Sequence, residues 1–115
     1  MQFGSFLDYL EQNPVIAAIG DDKWEAAIAS PAKVLFYLSA DIMTVSQRIS
    51  QAHDAQKILF IHADLSEGIG KDKAGIRFLA QSGVDGIIST KAQLIRYAKE
   101  QELLKTLRGF EQNYN

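Results

Sequence analysis

Short apolar runs alternate with amphipathic stretches along most of the chain. Runs rich in β-branched and aromatic residues predict strands at about 15–19, 34–38, 58–62 and 84–88. After each run, apolar positions recur every three or four residues, and this predicts helices at about 22–29, 42–52, 72–81 and 92–102. The pattern therefore predicts four consecutive βα units, with the first strand buried on both faces because its run is wholly apolar.

Turn residues and chain length complete the predicted element list. A leading helix is expected at about 5–12, because Asn13-Pro14 stops it. A fifth strand is expected at about 103–110. The 115 residues fall within the size of one domain, so a single α/β domain is predicted over residues 1–115.

Two local patterns make further predictions about the helices. Asp22 and Glu25, three residues apart, resemble a capping box at the start of the first crossover helix. Ile42, Val45 and Ile49 are spaced to form the inner face of the next helix. Both patterns can be checked directly against contacts in the structure.

Strands joined by helices predict a parallel sheet with right-handed crossovers. A TIM-barrel-like half barrel fits, because a whole barrel takes about 250 residues; an open flavodoxin-like sheet is the alternative. A half barrel would expose the edges of its sheet and the apolar faces meant for its missing neighbours. We therefore expect a homodimer or an open, flavodoxin-like sheet.

Composition excludes several kinds of site. The chain has no cysteine, so disulfides and thiolate metal sites are excluded, and its two histidines, nine residues apart, make a poor zinc site. The net charge of -2 does not mark a nucleic-acid binder. No metal or other cofactor is expected. The chain has no signal peptide and no apolar run long enough to span a membrane, so a cytoplasmic protein is predicted.

Candidate chemistry lies at the carboxyl ends of the strands, where parallel sheets bind ligands. His62, Asp64 and Glu67 follow the third strand and could orient ligand hydroxyls, hold a cation or do acid-base work. The structural alternative is that Asp64 caps the turn and His62 is an interior histidine. Further strand-end residues lie after the first two strands: Gly20, Asp21, Asp22, Ser39 and Asp41.

Ser89, Thr90 and Lys91 follow the fourth strand, just before a predicted helix. Two hydroxyls and an ammonium at a helix N-terminus suit an anion, and phosphate is the natural candidate. A helix-capping role for Ser89 or Thr90 is the alternative.

Five strings in these segments resemble the glycerol-3-phosphate-responsive antiterminator family. They are Ile16-Ala17-Ala18, Ala40-Asp41-Ile42, His62-Ala63-Asp64-Leu65-Ser66-Glu67-Gly68, Lys71-Asp72-Lys73-Ala74-Gly75-Ile76 and Asp85-Gly86-Ile87-Ile88-Ser89-Thr90-Lys91. The resemblance covers roughly residues 6–110. It implies a non-enzymatic, TIM-barrel-like regulator of a glycerol-uptake operon, which binds glycerol 3-phosphate and acts on the leader mRNA to suppress early termination.

Carried across position by position, the resemblance implies a set of ligand-binding residues and no catalytic residue. The set is His62, Asp64, Glu67, Ser89, Thr90, Lys91 and Arg108. Arg108 and Phe110 resemble an Arg-x-Phe element of the fifth strand. The chain departs from the family at Gly20, where a basic residue is usual, and it ends before the later strands and their phosphate loop.

Two other functions fit the same residues. A phosphoacceptor receiver domain would use Asp21, Asp22, Asp64 and Ser89, with Mg²⁺ on the carboxylates and phosphorylation at Asp64. A TIM-barrel enzyme fragment would use Lys91 as a Schiff-base lysine or His62 as a general base.

Overall fold

The structure, a computed structural model, describes residues 3–107 as alternating helices and strands. The helices are α1 (Phe3–Gln12), α2 (Trp24–Ala29), α3 (Val45–Asp54), α4 (Lys73–Gln81) and α5 (Ala92–Glu100). The strands are β1 (Ile16–Ile19), β2 (Val34–Tyr37), β3 (Ile58–His62), β4 (Gly86–Ser89) and β5 (Leu104–Leu107). The predicted βα units and fifth strand are confirmed, while residues 108–110 of the predicted strand lie outside the described residues.

The five strands form one parallel sheet in the order β1-β2-β3-β4-β5. Sequential order of parallel strands is the arrangement of a (βα) barrel, whereas a flavodoxin-like sheet has the order 2-1-3-4-5. The half-barrel prediction is confirmed, and the sheet is open rather than closed.

The outer face of the sheet carries the larger core. Alternate strand residues Leu35, Leu59, Ile61 and Ile87 are buried there under helices α2 to α5. The helices contribute their apolar stripes to the same cluster: Trp24, Ala27, Val45, Ile49, Ala52, Ile76, Leu79, Leu94 and Ala98. Burial of these side chains from both layers fixes each helix on its strand pair.

The inner face is covered in part by the leading helix. Phe6 of α1 is buried, and its ring centroid lies 5.4 Å from that of Phe60 on β3. The ring centroid of Phe36 on β2 also lies near Phe60, at 5.0 Å. The remaining buried members of the inner cluster are Val34, Ile58, Ile88 and Leu104. Helix α1 therefore shields much of the face that an isolated half barrel was expected to expose.

Strand β1 does not have the expected burial on both faces. Its inner-facing residues are open to solvent: Ile16 is 39% exposed and Ala18 is also exposed. Within residues 3–107, β1 has a single strand neighbour, β2, and α1 packs further along the sheet. The prediction was wrong because an apolar run does not reveal that its strand is at an edge.

Local helix signals had mixed outcomes. Asp72 caps α4, with its carboxylate accepting a hydrogen bond from the Gly75 N–H at 2.8 Å. The proposed Asp22–Glu25 capping box is wrong, because α2 starts after Lys23 and has no side-chain cap. Ile42 also lies outside α3 and is 43% exposed, since the helix begins only at Val45.

The amino ends of the strands are tied by two buried or partly buried charges. Oδ2 of Asp85 accepts the Leu59 N–H at 2.8 Å and lies 2.8 Å from Nε2 of His53. The buried Lys57 ammonium donates to the carbonyls of Ser30 and Ala32, and burial lowers its pKa. These contacts give the end of the sheet opposite the candidate site a structural role.

No helix among residues 3–107 is long and apolar enough to cross a membrane.

The close approach of Phe60 to Gly86 predicts a specific cost for a small substitution. A Cβ at Gly86 would lie 2.5 Å from the Phe60 ring, which itself contacts Phe6 and Phe36. We expect Gly86→Ala to lower the free energy of unfolding by about 1–2 kcal/mol, measured by urea denaturation. Gly4→Ala is the matched control, because its Cβ would meet no atom within 4 Å. Equal stabilities for the two variants would contradict this packing.

Candidate functional site

The site forms where neighbouring strands β3 and β4 end. Asp64 lies in a 3-10 turn directly after β3, and its Oδ1 accepts a hydrogen bond from Ser89 Oγ at 2.5 Å. Its Oδ2 accepts the Thr90 N–H at 2.9 Å and the Thr90 hydroxyl. One carboxylate thus receives three hydrogen bonds from the last residue of β4 and the residue that follows it.

The Asp64 carboxylate is held in its charged form. Burial acts to raise the pKa of Asp64, but the hydrogen bonds from Ser89 and Thr90 and the charge of His62 outweigh burial and lower it. Ser89 is itself fully buried, and its Oγ also accepts the Lys91 N–H at 2.9 Å. Asp64, Ser89 and Thr90 form a continuous network of hydrogen bonds, which we call the strand-end clamp.

The other predicted site residues lie around this clamp. His62 is the last residue of β3 and is buried, with its carbonyl accepting a hydrogen bond from Ser66 Oγ at 3.0 Å. Lys91 is exposed and immediately precedes α5, where it is the N-cap residue. Neither Ser89 nor Thr90 is that cap, so the capping alternative is not supported. Arg108 and Phe110 lie outside the described residues.

Glu67 belongs to a different part of the strand-end surface. Its backbone forms a parallel bridge with Asp41, with the Glu67 N–H donating to the Ala40 carbonyl at 2.9 Å. Its side chain lines a cleft of about 230 Å³ beyond β1 and β2. The residues lining this cleft are Asp21, Tyr37, Ser39, Asp41, Met43, Thr44 and Glu67.

A second polar network beside this cleft includes residues that the sequence did not single out. Tyr37 Oη donates to Asp21 Oδ1 at 2.6 Å, and Arg48 Nη2 donates to the same oxygen at 2.8 Å. The Tyr37 hydrogen bond and the Arg48 charge lower the pKa of Asp21, while burial and Asp21 raise that of Tyr37 to about 12. Arg48 also lies over the Trp24 ring, 5.0 Å from its centroid.

Carboxylates in this cleft do not form a metal site. Among residues 3–107, no group of three or more histidine and acidic side chains is arranged to hold a metal ion. Asp21 is instead neutralised by Arg48, and Asp41 Oδ1 accepts the Met43 N–H at 2.7 Å.

The geometry disfavours a receiver domain and the Schiff-base form of the enzyme alternative. A receiver domain has the flavodoxin-like strand order, which this sheet lacks, and its phosphoacceptor must be open to a phosphodonor. Asp64 instead has both carboxylate oxygens occupied by hydrogen bonds. A Schiff-base lysine is commonly activated by an apolar pocket or a neighbouring cation, whereas Lys91 is exposed to solvent.

The fold and the polar strand ends define a barrel-type α/β protein whose candidate site is at the carboxyl edge of a half barrel. Residues 15–113 match the model of the family described as glycerol-3-phosphate responsive antiterminator. The chain therefore belongs to this family, and the resemblance seen in the sequence is confirmed.

Two known proteins are similar to this chain, one in sequence and one in structure. The chain is 40% identical over 95 residues to the uncharacterized protein YgcP of Escherichia coli (strain K12), covering 81% of this chain and 50% of that protein. A glycerol uptake operon antiterminator-related protein from Thermotoga maritima is similar in structure, with a TM-score of 0.71 and 28% identity over 86% of this chain and 63% of that one.

A third similar protein is named as an antiterminator regulatory protein, and not only as related to one. The glycerol uptake operon antiterminator regulatory protein from Listeria monocytogenes has a TM-score of 0.73 and 28% identity, over 78% of this chain and 50% of that chain. The chain thus spans about half to two thirds of the length of these relatives.

The lowered pKa of Asp64 predicts a pH-dependent contribution to stability. Because the folded pKa is below the unfolded value of about 3.9, the charged carboxylate stabilises the fold above about pH 4, and this contribution is lost as pH falls through the folded pKa. We expect Asp64→Asn to cost about 1–3 kcal/mol at pH 7, from hydrogen bonds to a charged group. The difference from wild type, measured by urea unfolding, should shrink as the pH falls below about 4. A difference that is constant with pH, or equal to that of the exposed-site control Asp8→Asn, would contradict this role.

Proposed function

We propose that this protein regulates transcription antitermination of a glycerol-uptake operon, with glycerol 3-phosphate as effector and the leader mRNA as target. It would act by binding and not as an enzyme. Membership of the antiterminator family supports this function, as do the names of the Thermotoga and Listeria relatives. The observation on which the effector site rests is the strand-end clamp, which orders the loop leading into α5.

The proposed effector site combines the clamp with nearby charge. The first N–H groups of a helix lack partners within the helix and carry partial positive charge, so the start of α5 beside Lys91 suits a phosphate. Asp64, Ser89 and Thr90 belong to the proposed site through the clamp. The sequence resemblance adds three further residues to the proposal: His62, Glu67 and Arg108.

This protein would bind its RNA target although it is not strongly basic. The net charge is -2, so the general electrostatic attraction of a basic protein for phosphates is weak here. Recognition of a leader would therefore depend on local contacts or on assembly. A homodimer is part of our proposal, because assembly enlarges the available surface.

The exposed edge of the sheet is the proposed dimer contact. Val15 is 59% exposed, Ile16 is 39% exposed, and Leu7 of α1 is exposed as well. Segment 15–19 has no charged residue, whereas β5 has Lys105, a residue type that protects sheet edges.

We expect the wild type to sediment as a dimer at micromolar concentration and Ile16→Lys to sediment as a folded monomer, because the charge would be desolvated in the contact. Ala29→Lys, at an exposed position on α2, is the control and should leave the dimer intact. A folded wild-type monomer under these conditions would refute the dimer.

Glycerol 3-phosphate should stabilise the folded protein. A ligand that binds only the folded state adds about 2.7 kcal/mol at 100 times its dissociation constant, which is visible as a raised melting temperature. We expect this rise with glycerol 3-phosphate, a smaller one with inorganic phosphate or glycerol, and a reduced rise in Lys91→Met. Lys99→Met, at the far end of α5, is the matched control. The absence of a selective rise in the wild type would refute the effector proposal.

A further inference from the structure

We infer that Asp64 and Ser89 are positioning residues, which fix the loop before α5 and do not themselves contact the phosphate of the effector. This inference rests on the proposed function, because the loop it concerns carries Lys91. It changes the role that the sequence suggests for these two residues, from ligand contacts to supports of the loop.

The single proton of the Ser89 hydroxyl and one of its two acceptor lone pairs are already used within the protein. A hydroxyl has one proton to donate, and Ser89 donates it to Asp64 Oδ1 at 2.5 Å. Its oxygen accepts the Lys91 N–H at 2.9 Å. Since Ser89 is also fully buried, a bound molecule would have to break these bonds to reach it.

The charge of Asp64 argues against direct contact with phosphate. The pKa of Asp64 is lowered, so the side chain is an anion at neutral pH. Two like charges about 5 Å apart repel by about 3 kcal/mol at an effective dielectric constant of 20. Asp64 is an acceptor only, whereas a phosphate needs donors.

The clamp does have the geometry needed to order the loop. It joins residues 25 and 26 positions apart, and it reaches two successive backbone N–H groups, of Thr90 and, through Ser89, of Lys91. With these two groups fixed, the orientation of Lys91 and of the first turn of α5 is set before the ligand arrives. Such preorganisation raises affinity by lowering the ordering cost of binding.

A double-mutant cycle on folded protein tests this role. The variants are Asp64→Asn, Thr90→Val and their combination, with glycerol 3-phosphate binding measured by calorimetry at 25 °C, below unfolding. Asp64→Asn weakens all three bonds of the clamp, whereas Thr90→Val removes only the bond from the Thr90 hydroxyl. We therefore expect about tenfold weaker binding in Asp64→Asn, a smaller loss in Thr90→Val and no further loss in the double variant. Thr90→Ser keeps the hydroxyl and should restore affinity to near the wild-type value.

An additional readout, which needs no ligand, is amide hydrogen exchange. The Thr90 and Lys91 amides should exchange faster in Asp64→Asn than in the wild type, while those of the distant α3 stay unchanged. Unchanged exchange at both amides would overturn the inference.

The binding results separate this inference from the proposed function. If the wild type binds and Lys91→Met does not, but the clamp variants bind normally, the positioning role is wrong and the effector function stands. A hundredfold loss in the double variant would show independent contacts and would also overturn the positioning role. If the wild type does not bind glycerol 3-phosphate, the proposed function fails together with the inference.

Discussion

Sequential order of parallel strands determines where everything else in this domain must lie. Right-handed crossovers between adjacent strands bring successive helices to the same face of the sheet, and α2 to α5 all pack on the outer face. The inner face receives no crossover helix, although its side chains are apolar. Helix α1 covers part of it through Phe6 and Phe60, and β1 remains the exposed edge. The proposed dimer contact follows from the same constraint.

Features that depend on a few consecutive residues could be predicted from the sequence. The apolar runs gave the strands, and Asp72 caps its helix through a bond to a residue three positions away. The burial of β1 could not be predicted, because it depends on which strands become neighbours. The Asp22–Glu25 pattern matched a capping box, but the chain forms a 3-10 turn there, and Asp21 bonds to Tyr37 and Arg48.

The site shows the same division between local and long-range information. The tendency of parallel sheets to bind ligands at the carboxyl ends of their strands pointed to Asp64 and to the 89–91 segment, and these lie at one edge because β3 and β4 are adjacent. It could not predict that Asp64 bonds to Ser89 and Thr90, since these contacts span 25 and 26 residues. Tyr37 and Arg48 were missed for the same reason: in the sequence they read as a strand residue and a helix surface charge.

Hydrogen bonds already made by the strand-end carboxylates limit where the proposed effector could bind. Asp21 is bonded to Tyr37 and Arg48, and Asp64 is bonded to the 89–90 segment, so both carboxylates have their charge compensated within the protein. A phosphate gains little from either. The Lys91 ammonium is exposed, and it precedes the positive end of α5. Among the strand-end groups described, this is the position that we propose for the anion, with the clamp ordering the loop that carries it.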